Sequence, residues 1–166
     1  MRCFVGLAAE DSARRELAEL QKQAAAMDLG ARPVRSENFH LTLAFIGELS
    51  AEKAREVAQA LRIIPTLEGR FWQIDRSGSF PRAKVCWCAG PRDEYLELLA
   101  KEVRTLLDRL GVDYDRARFK AHITLLRNSR LDAPIVLKPI PWLLTAPVLF
   151  ESKRDADGVL RYTPIP

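Results

Sequence analysis

Residues 2–8 form a short apolar run, and Leu17, Leu20, Ala24 and Met27 follow it at helical spacing. The pattern predicts a strand and then a helix, capped by Asp11 or Ser12 and ended by Gly30 and Pro33. Residues 40–46 are β-prone, with Leu41, Leu43 and Phe45 alternating onto one face. A second helix is expected over about 50–62, where Ala54, Val57, Ala58 and Leu61 share a side. Strands are expected at 70–77 and 84–89, separated by the turn-like Gly78-Ser79-Phe80-Pro81. Leu96, Leu99, Val103, Leu106 and Leu110 then mark a helix over 93–110, with Gly111 as its stop. Residues 119–127 read as a strand, and a Pro-rich connection (Pro134, Pro139, Pro141) leads to a hairpin of 146–153 and 159–163 turning at Asp157-Gly158. These last strands would close an antiparallel sheet.

The order strand, helix, strand occurs twice. His122 follows His40, Lys84 follows Arg2 and Asp93 follows Asp11 by the same offset of 82, close to half the chain. An internal duplication is expected, with pseudo-repeats of roughly 1–82 and 83–166 inside one domain of 1–166. Apolar residues at 48% and charged residues at 29% of 166 positions support one packed core and exclude a disordered or fibrous chain. Lys plus Arg exceeds Asp plus Glu by only 26 to 22, but residues 115–130 carry Arg116, Arg118, Lys120, Arg127 and Arg130 against the single acid Asp115. Such a local surplus favours an anionic ligand. Cys3, Cys86 and Cys88 are odd in number, and no secretory leader or membrane span is evident, so a reduced, cytoplasmic protein is expected.

The only two histidines lie on the equivalent strands, and each has Thr two residues later: His40-Leu41-Thr42-Leu43 and His122-Ile123-Thr124-Leu125. With six Thr in the chain, that coincidence arises by chance about once in 800. Strand positions i and i+2 share a face, so each imidazole and its hydroxyl point the same way, roughly 7 Å apart. Two imidazoles and two hydroxyls around one cleft suit acid/base chemistry on a phosphodiester. One neutral histidine takes a proton from water, one imidazolium gives a proton to the leaving oxygen, and the hydroxyls donate to phosphate oxygens.

These residues resemble the two-histidine phosphoesterases, and among them the RNA 2′,3′-cyclic phosphodiesterases historically called 2′-5′ RNA ligases. The similarity runs through the opening MRCFVGLAAED, residues 37–49 (ENFHLTLAFIGEL), residues 78–87 (GSFPRAKVCW) and residues 119–127 (FKAHITLLR), with Asn38, Phe45, Gly47 and Arg127 flanking the paired motifs. The resemblance implies a bilobal α+β fold, with two antiparallel sheets lining a central cleft and helices outside. It implies hydrolysis of a terminal 2′,3′-cyclic phosphate to a 2′-phosphate without metal, ATP or other cofactor, and 2′-5′ ligation as the reverse reaction. His40 is then the proton donor, His122 the acceptor, and Thr42 and Thr124 the phosphate ligands. Arg127 becomes a substrate contact, although simple alternation puts it on the strand face opposite His122, so a bulge, twist or strand end is needed. Ala121 stands where the family often has Pro, and Ala44 where a cation is frequent.

Phe80 is the candidate base-stacking residue, in what reads as an exposed turn, and Arg118 and Lys120 with Arg116 are candidates for an RNA path. Expected partners are RNA ends bearing a 2′,3′-cyclic phosphate or small cyclic nucleotides, with no membrane and a monomeric chain. Two alternatives stay open at this point: a phosphodiesterase for small nucleotides such as ADP-ribose cyclic phosphate or 2′,5′-oligoadenylate, and an inactive RNA-binding module. Zinc held by Cys86 and Cys88 with Cys3 and a histidine is disfavoured, because the Cys-x-Cys spacing lacks a knuckle loop.

Overall fold

The computed structural model describes residues 1–135 and 137–166. Along the chain come β1 (Arg2–Ala8), α1 (Asp11–Ala26), β2 (Arg32–Pro33), a 3-10 turn (Ser36–Asn38), β3 (His40–Glu48), α2 (Ala51–Leu61) and β4 (Phe71–Ile74). The remainder is β5 (Arg76–Phe80), β6 (Val85–Ala89), α3 (Glu94–Arg109), β7 (Ile123–Arg127), β8 (Ile140–Leu143), β9 (Val148–Arg154) and β10 (Leu160–Pro164). The class is α+β, with two antiparallel sheets of very different size. The larger has the order β10-β9-β1-β3-β7-β6-β5 with β2 added beside β7, and the smaller is β4 with β8.

The large sheet is two half-sheets joined at one point. Strands β3 and β7 meet only at Leu41 opposite Ile123, both fully buried. The halves are interleaved in sequence: β9 and β10 lie beyond β1, whereas β2 and β5 reach across to β7 and β6. Helices close the other face. Buried Ala13, Leu17, Leu20 and Ala24 form the inner stripe of α1, which packs on β7 and β8, while α2 lies on β9 and α3 on β3. Each fully buried leucine in these stripes contributes about 1.5–3 kcal/mol.

Local chemistry sets the helix starts. The Ser50 hydroxyl accepts from the Lys53 amide at 3.1 Å and the Asp93 carboxylate from the Leu96 amide at 3.0 Å, caps worth about 1 kcal/mol each. Helix α1 departs from expectation, because its cap position is Glu10 without a side-chain bond, and Asp11 sits inside the first turn paired with Arg14 at 3.0 Å.

Four further expectations move. The expected strand at 70–77 breaks at Asp75, whose amide donates to Ala89 as the chain crosses from the small sheet to the large one. Gly78, Ser79 and Phe80 are strand, not turn; the turn falls over 81–84 and ends on Lys84 at φ 52°. Gly78 is there for close approach, since a Cβ on it would stand 2.4 Å from the Trp87 ring opposite. Strand β7 starts at Ile123, with 119–122 unpaired, and the Pro-rich connection contains β8, where Pro141 is tolerated on a two-stranded edge.

Candidate active site

The two motifs are held in the same way on the two half-sheets. His40 opens β3 and its Nδ1 lies 2.7 Å from the Asn38 carbonyl; His122 sits just before β7 and its Nδ1 lies 2.7 Å from the Lys120 carbonyl. A carbonyl only accepts, so Nδ1 carries the proton in both rings. In the neutral state each Nε2 is therefore an open lone pair, and that of His40 stands 2.9 Å from the Thr42 hydroxyl, which donates to it.

Aromatic rings fix the orientations. His40 packs against Phe4 at 4.6 Å between centroids and meets Tyr162 perpendicularly at 5.0 Å. His122 meets Phe80 perpendicularly at 5.0 Å, and Phe80 rests on Trp87 at 5.4 Å. Buried Asn38 ties the first motif to β10, donating from Nδ2 to the Leu160 carbonyl at 2.9 Å and accepting from the Tyr162 amide at 3.3 Å. Burial among these groups lowers the His40 pKa to about 4, with Arg127 and His122 adding repulsion against the bond to Asn38. Burial also lowers that of His122, and Arg127 again opposes the charged form. Without an anion in the cleft, both imidazoles are neutral near pH 7.

Twin bulges decide what else faces the cleft. Along β1 the partner of Val5 is Ala44 and that of Gly6 is Thr42, so Leu43 is the extra residue. Along β6 the partner of Cys86 is Leu126 and that of Trp87 is Thr124, so Leu125 is the extra residue. Leu43 with Ala44, and Leu125 with Leu126, are consecutive buried positions. One inserted residue reverses the alternation that follows. Phe45 therefore joins His40 and Thr42, and Arg127 joins His122 and Thr124. The bulge that alternation demanded for Arg127 is present.

Two open cavities meet in the cleft. One of about 440 Å³ has Thr42, Phe80, Arg118, Lys120, His122 and Thr124 in its wall. The other, of about 670 Å³, is lined by Phe4, His40, Tyr162, Arg2 and Arg154. Phe45, Asp115 and Arg127 border both, so all eight sequence-derived site residues surround one continuous space. Phe80 reaches it from strand β5, partly buried, with the Lys120 ammonium 5.8 Å from its ring centre. Arg116 does not join them; it pairs with Asp108 at 2.8 Å and lies over Tyr114 at 3.9 Å. The sequence reading missed Phe4, Tyr162 and Arg104, the last held over the cleft by the Leu43 and Ala117 carbonyls at 3.3 and 2.9 Å. Long-range pairing alone brings these in, and no local signal marks them. Cys86 is a buried thiol pushed up to about 11, and burial raises Cys88 as well, far from nucleophilic use. Among the described residues no three His, Cys, Asp or Glu side chains gather as a metal site, and no helix is long and apolar enough to cross a membrane.

Paired His-x-Thr segments facing one cleft on an antiparallel framework are the arrangement expected of the two-histidine phosphoesterase class. Known proteins agree with that class. The model of the LigT like Phosphoesterase family matches residues 7–87. The RNA 2′,3′-cyclic phosphodiesterase of Escherichia coli K12 is 35% identical over 145 residues, spanning 81% of this chain and 77% of that protein. One of the same description from Archaeoglobus fulgidus is 32% identical, spanning 78% and 74%. The crystal structure of E. coli LigT complexed with 3′-AMP superimposes with a TM-score of 0.84 at 29% identity, covering 99% of this chain and 95% of that one. The chain belongs to the LigT-like phosphoesterase family.

Proposed function

We infer that this chain is an RNA 2′,3′-cyclic phosphodiesterase, opening the terminal cyclic phosphate to a 2′-phosphate. The single observation that carries the reading is the matched pair of imidazoles, each with Nδ1 tied to a backbone carbonyl and Nε2 left for chemistry beside a threonine of its own strand. The relatives of 35% and 32% identity, described as this enzyme, support the RNA end as substrate over the small-nucleotide and inactive-module alternatives.

In the proposed mechanism water attacks phosphorus and loses its proton to Nε2 of His122. The bond from phosphorus to the ribose 3′ oxygen breaks as that oxygen takes a proton from Nε2 of His40. The product is a 2′-phosphomonoester with a free 3′ hydroxyl, and the two imidazoles have exchanged one proton, which solvent restores. Thr42 and Thr124 donate to the non-bridging oxygens, while Arg127 balances their charge between the two cavities. His40 must be protonated for this step, although burial sets its pKa near 4. The anionic substrate supplies the correction, since negative charge beside Arg127 favours the imidazolium. Both proton transfers use the chain's own side chains. Phe80 offers an apolar face for the terminal base, and Arg118 and Lys120 flank it. We further propose that the chain arose by internal duplication near residue 82; the twin bulges at Leu43 and Leu125, offset by that same number, support this.

The test is a short RNA with a 2′,3′-cyclic phosphate end, incubated with the protein in excess EDTA, the product phosphate being placed by nuclease and phosphatase sensitivity. A 2′-phosphate is expected, with His40→Ala and His122→Ala each losing about 10²–10⁴-fold in rate. Full turnover in either variant would refute the assignment.

A further inference from the structure

Arg32 on β2 stands directly opposite Arg127 on β7. Like charges directly opposite one another destabilise a strand pair unless an anion lies between them. Arg35 and Arg154 line the same recess of about 210 Å³, against Pro33, Leu160 and Tyr162, and no carboxylate borders it. Among the described residues no salt bridge engages Arg32, Arg127 or Arg154. Arg35 reaches Glu37 only at 3.7 Å, and Arg154 donates to the Gly158 carbonyl at 2.7 Å. Across the molecule the contrast is plain, because Arg92 and Arg116 are matched with Glu97 and Asp108, each at 2.8 Å.

The recess opens from the reacting centre on the His40 side. Arg127, Arg154, Leu160 and Tyr162 are common to it and to the His40 cavity, where Arg2 adds another cation. Three planar guanidinium groups without an acid partner, joined by Arg35 whose contact to Glu37 is long at 3.7 Å, match a phosphate with ester substituents. The opposite arm, with Phe80 near His122, presents an aromatic ring suited to a base. The two arms differ in chemistry, so a bound strand has a direction.

We propose that the recess of Arg32, Arg35, Arg127 and Arg154 seats the phosphodiester next upstream of the reacting ribose, making the enzyme select oligonucleotide ends over mononucleotides without reading sequence. This rests on the cyclic phosphodiesterase reading. Guanidinium contacts to phosphate fix register and carry no base information. Each phosphate so neutralised adds about 0.7 to the slope of log affinity against log salt for a single strand.

The experiment compares kcat/KM for cytidine 2′,3′-cyclic phosphate and for a trinucleotide with a 2′,3′-cyclic phosphate end, over about 50 to about 300 mM NaCl. The protein as it stands is set beside Arg32→Ala/Arg154→Ala and the single neutral variant Arg32→Gln, which leaves no acid to pair with Arg127 across the strands. The trinucleotide is expected to be preferred by about tenfold or more, with the steeper salt dependence, and both variants to reduce that preference about tenfold. A preference near unity in the parent, or equal loss on both substrates, would overturn the proposal. A second readout needs no turnover: binding of the trinucleotide ending in a 3′-phosphate, against cytidine 3′-phosphate, by fluorescence titration. Should neither cyclic substrate be hydrolysed, weaker trinucleotide binding in the variants sustains the recess while the phosphodiesterase reading falls. Unchanged trinucleotide binding overturns the recess itself. Loss of an opposed like charge predicts no fall in the urea midpoint of the double variant, which separates these effects from unfolding.

Discussion

Replacing Arg127 by Gln removes a charge from the middle of the cleft while keeping a side chain of similar reach. Two separate effects follow from its position. The guanidinium is exposed, borders both cavities and has no carboxylate partner among the described residues, so its full charge is available to the phosphate. A charged hydrogen bond of about 1.5–3 kcal/mol converts to a loss of about 10- to 150-fold in kcat/KM. The second effect is on protons. Burial is the largest cause of the low pKa of both histidines, and Arg127 acts in the same direction on each. Removing it stabilises both imidazolium forms, so both pKa values rise. The acid limb of a kcat/KM profile reports the base losing its proton, and the alkaline limb reports the acid keeping its own. Both limbs should therefore move to higher pH, as macroscopic values of a coupled pair. Arg127→Lys keeps the charge and should lose rate with its limbs in place. The assay is a profile from about pH 4 to about pH 9 with mononucleotide substrate. Full activity in Arg127→Gln, or a loss with neither limb displaced, would refute the reasoning that joins the bulge, the charge and the histidines.

Gly78→Ala should force the Trp87 ring away, since the new Cβ would lie 2.4–2.9 Å from three of its atoms. Phe80 leans on Trp87 and His122 on Phe80, so KM for cyclic substrates should rise several-fold while Gly30→Ala, with open space around its Cβ, is neutral; equal KM values in the two would break that chain of contacts. Stability should also depend on pH. His40 has a folded pKa of about 4 against an unfolded value near 6.5, so the unfolded chain binds more protons between them and stability falls as pH drops through that window. By about pH 5 the loss relative to pH 7 should be at most about 2 kcal/mol from this group, reduced where solvent screens it. Urea midpoints in the parent and in His40→Gln measure this, and parallel slopes in the two would exclude His40 as the source.

Much of this site was legible because the motif residues are close in sequence. His40 with Thr42 and His122 with Thr124 follow from strand periodicity alone, and the register of Leu41 with Ile123 then sets the motifs side by side. Helices α2 and α3 were readable from apolar stripes with Ser50 and Asp93 at their starts. What failed did so for physical reasons. Gly78 in a turn-like string signals either conformational freedom or close approach, and only the partner, Trp87, distinguishes them. The facing of Arg127 depends on one extra residue, which leaves no mark in a uniformly apolar Leu125-Leu126 pair. Arg116 looked the same as Arg118 until Asp108 on α3 came within reach. Tyr162 and Arg32 enter the cleft through pairings between distant segments, which no local pattern encodes.

The interleaving of the half-sheets bears on how the protein is made. While a ribosome is still extending the chain, β1 and β3 can pair, but the outer edge of β1 waits for β9, whose first residue, Val148, emerges long after Gly6. At roughly 5–20 residues per second that edge stays open for on the order of ten seconds or more. An apolar strand with unpaired amides is the surface that chaperones hold and that aggregates recruit. Tyr162, against which His40 is oriented, arrives later still. A nascent chain therefore carries both histidines before it carries a finished cleft, and catalytic competence is conferred by the closing hairpin rather than by the motifs themselves.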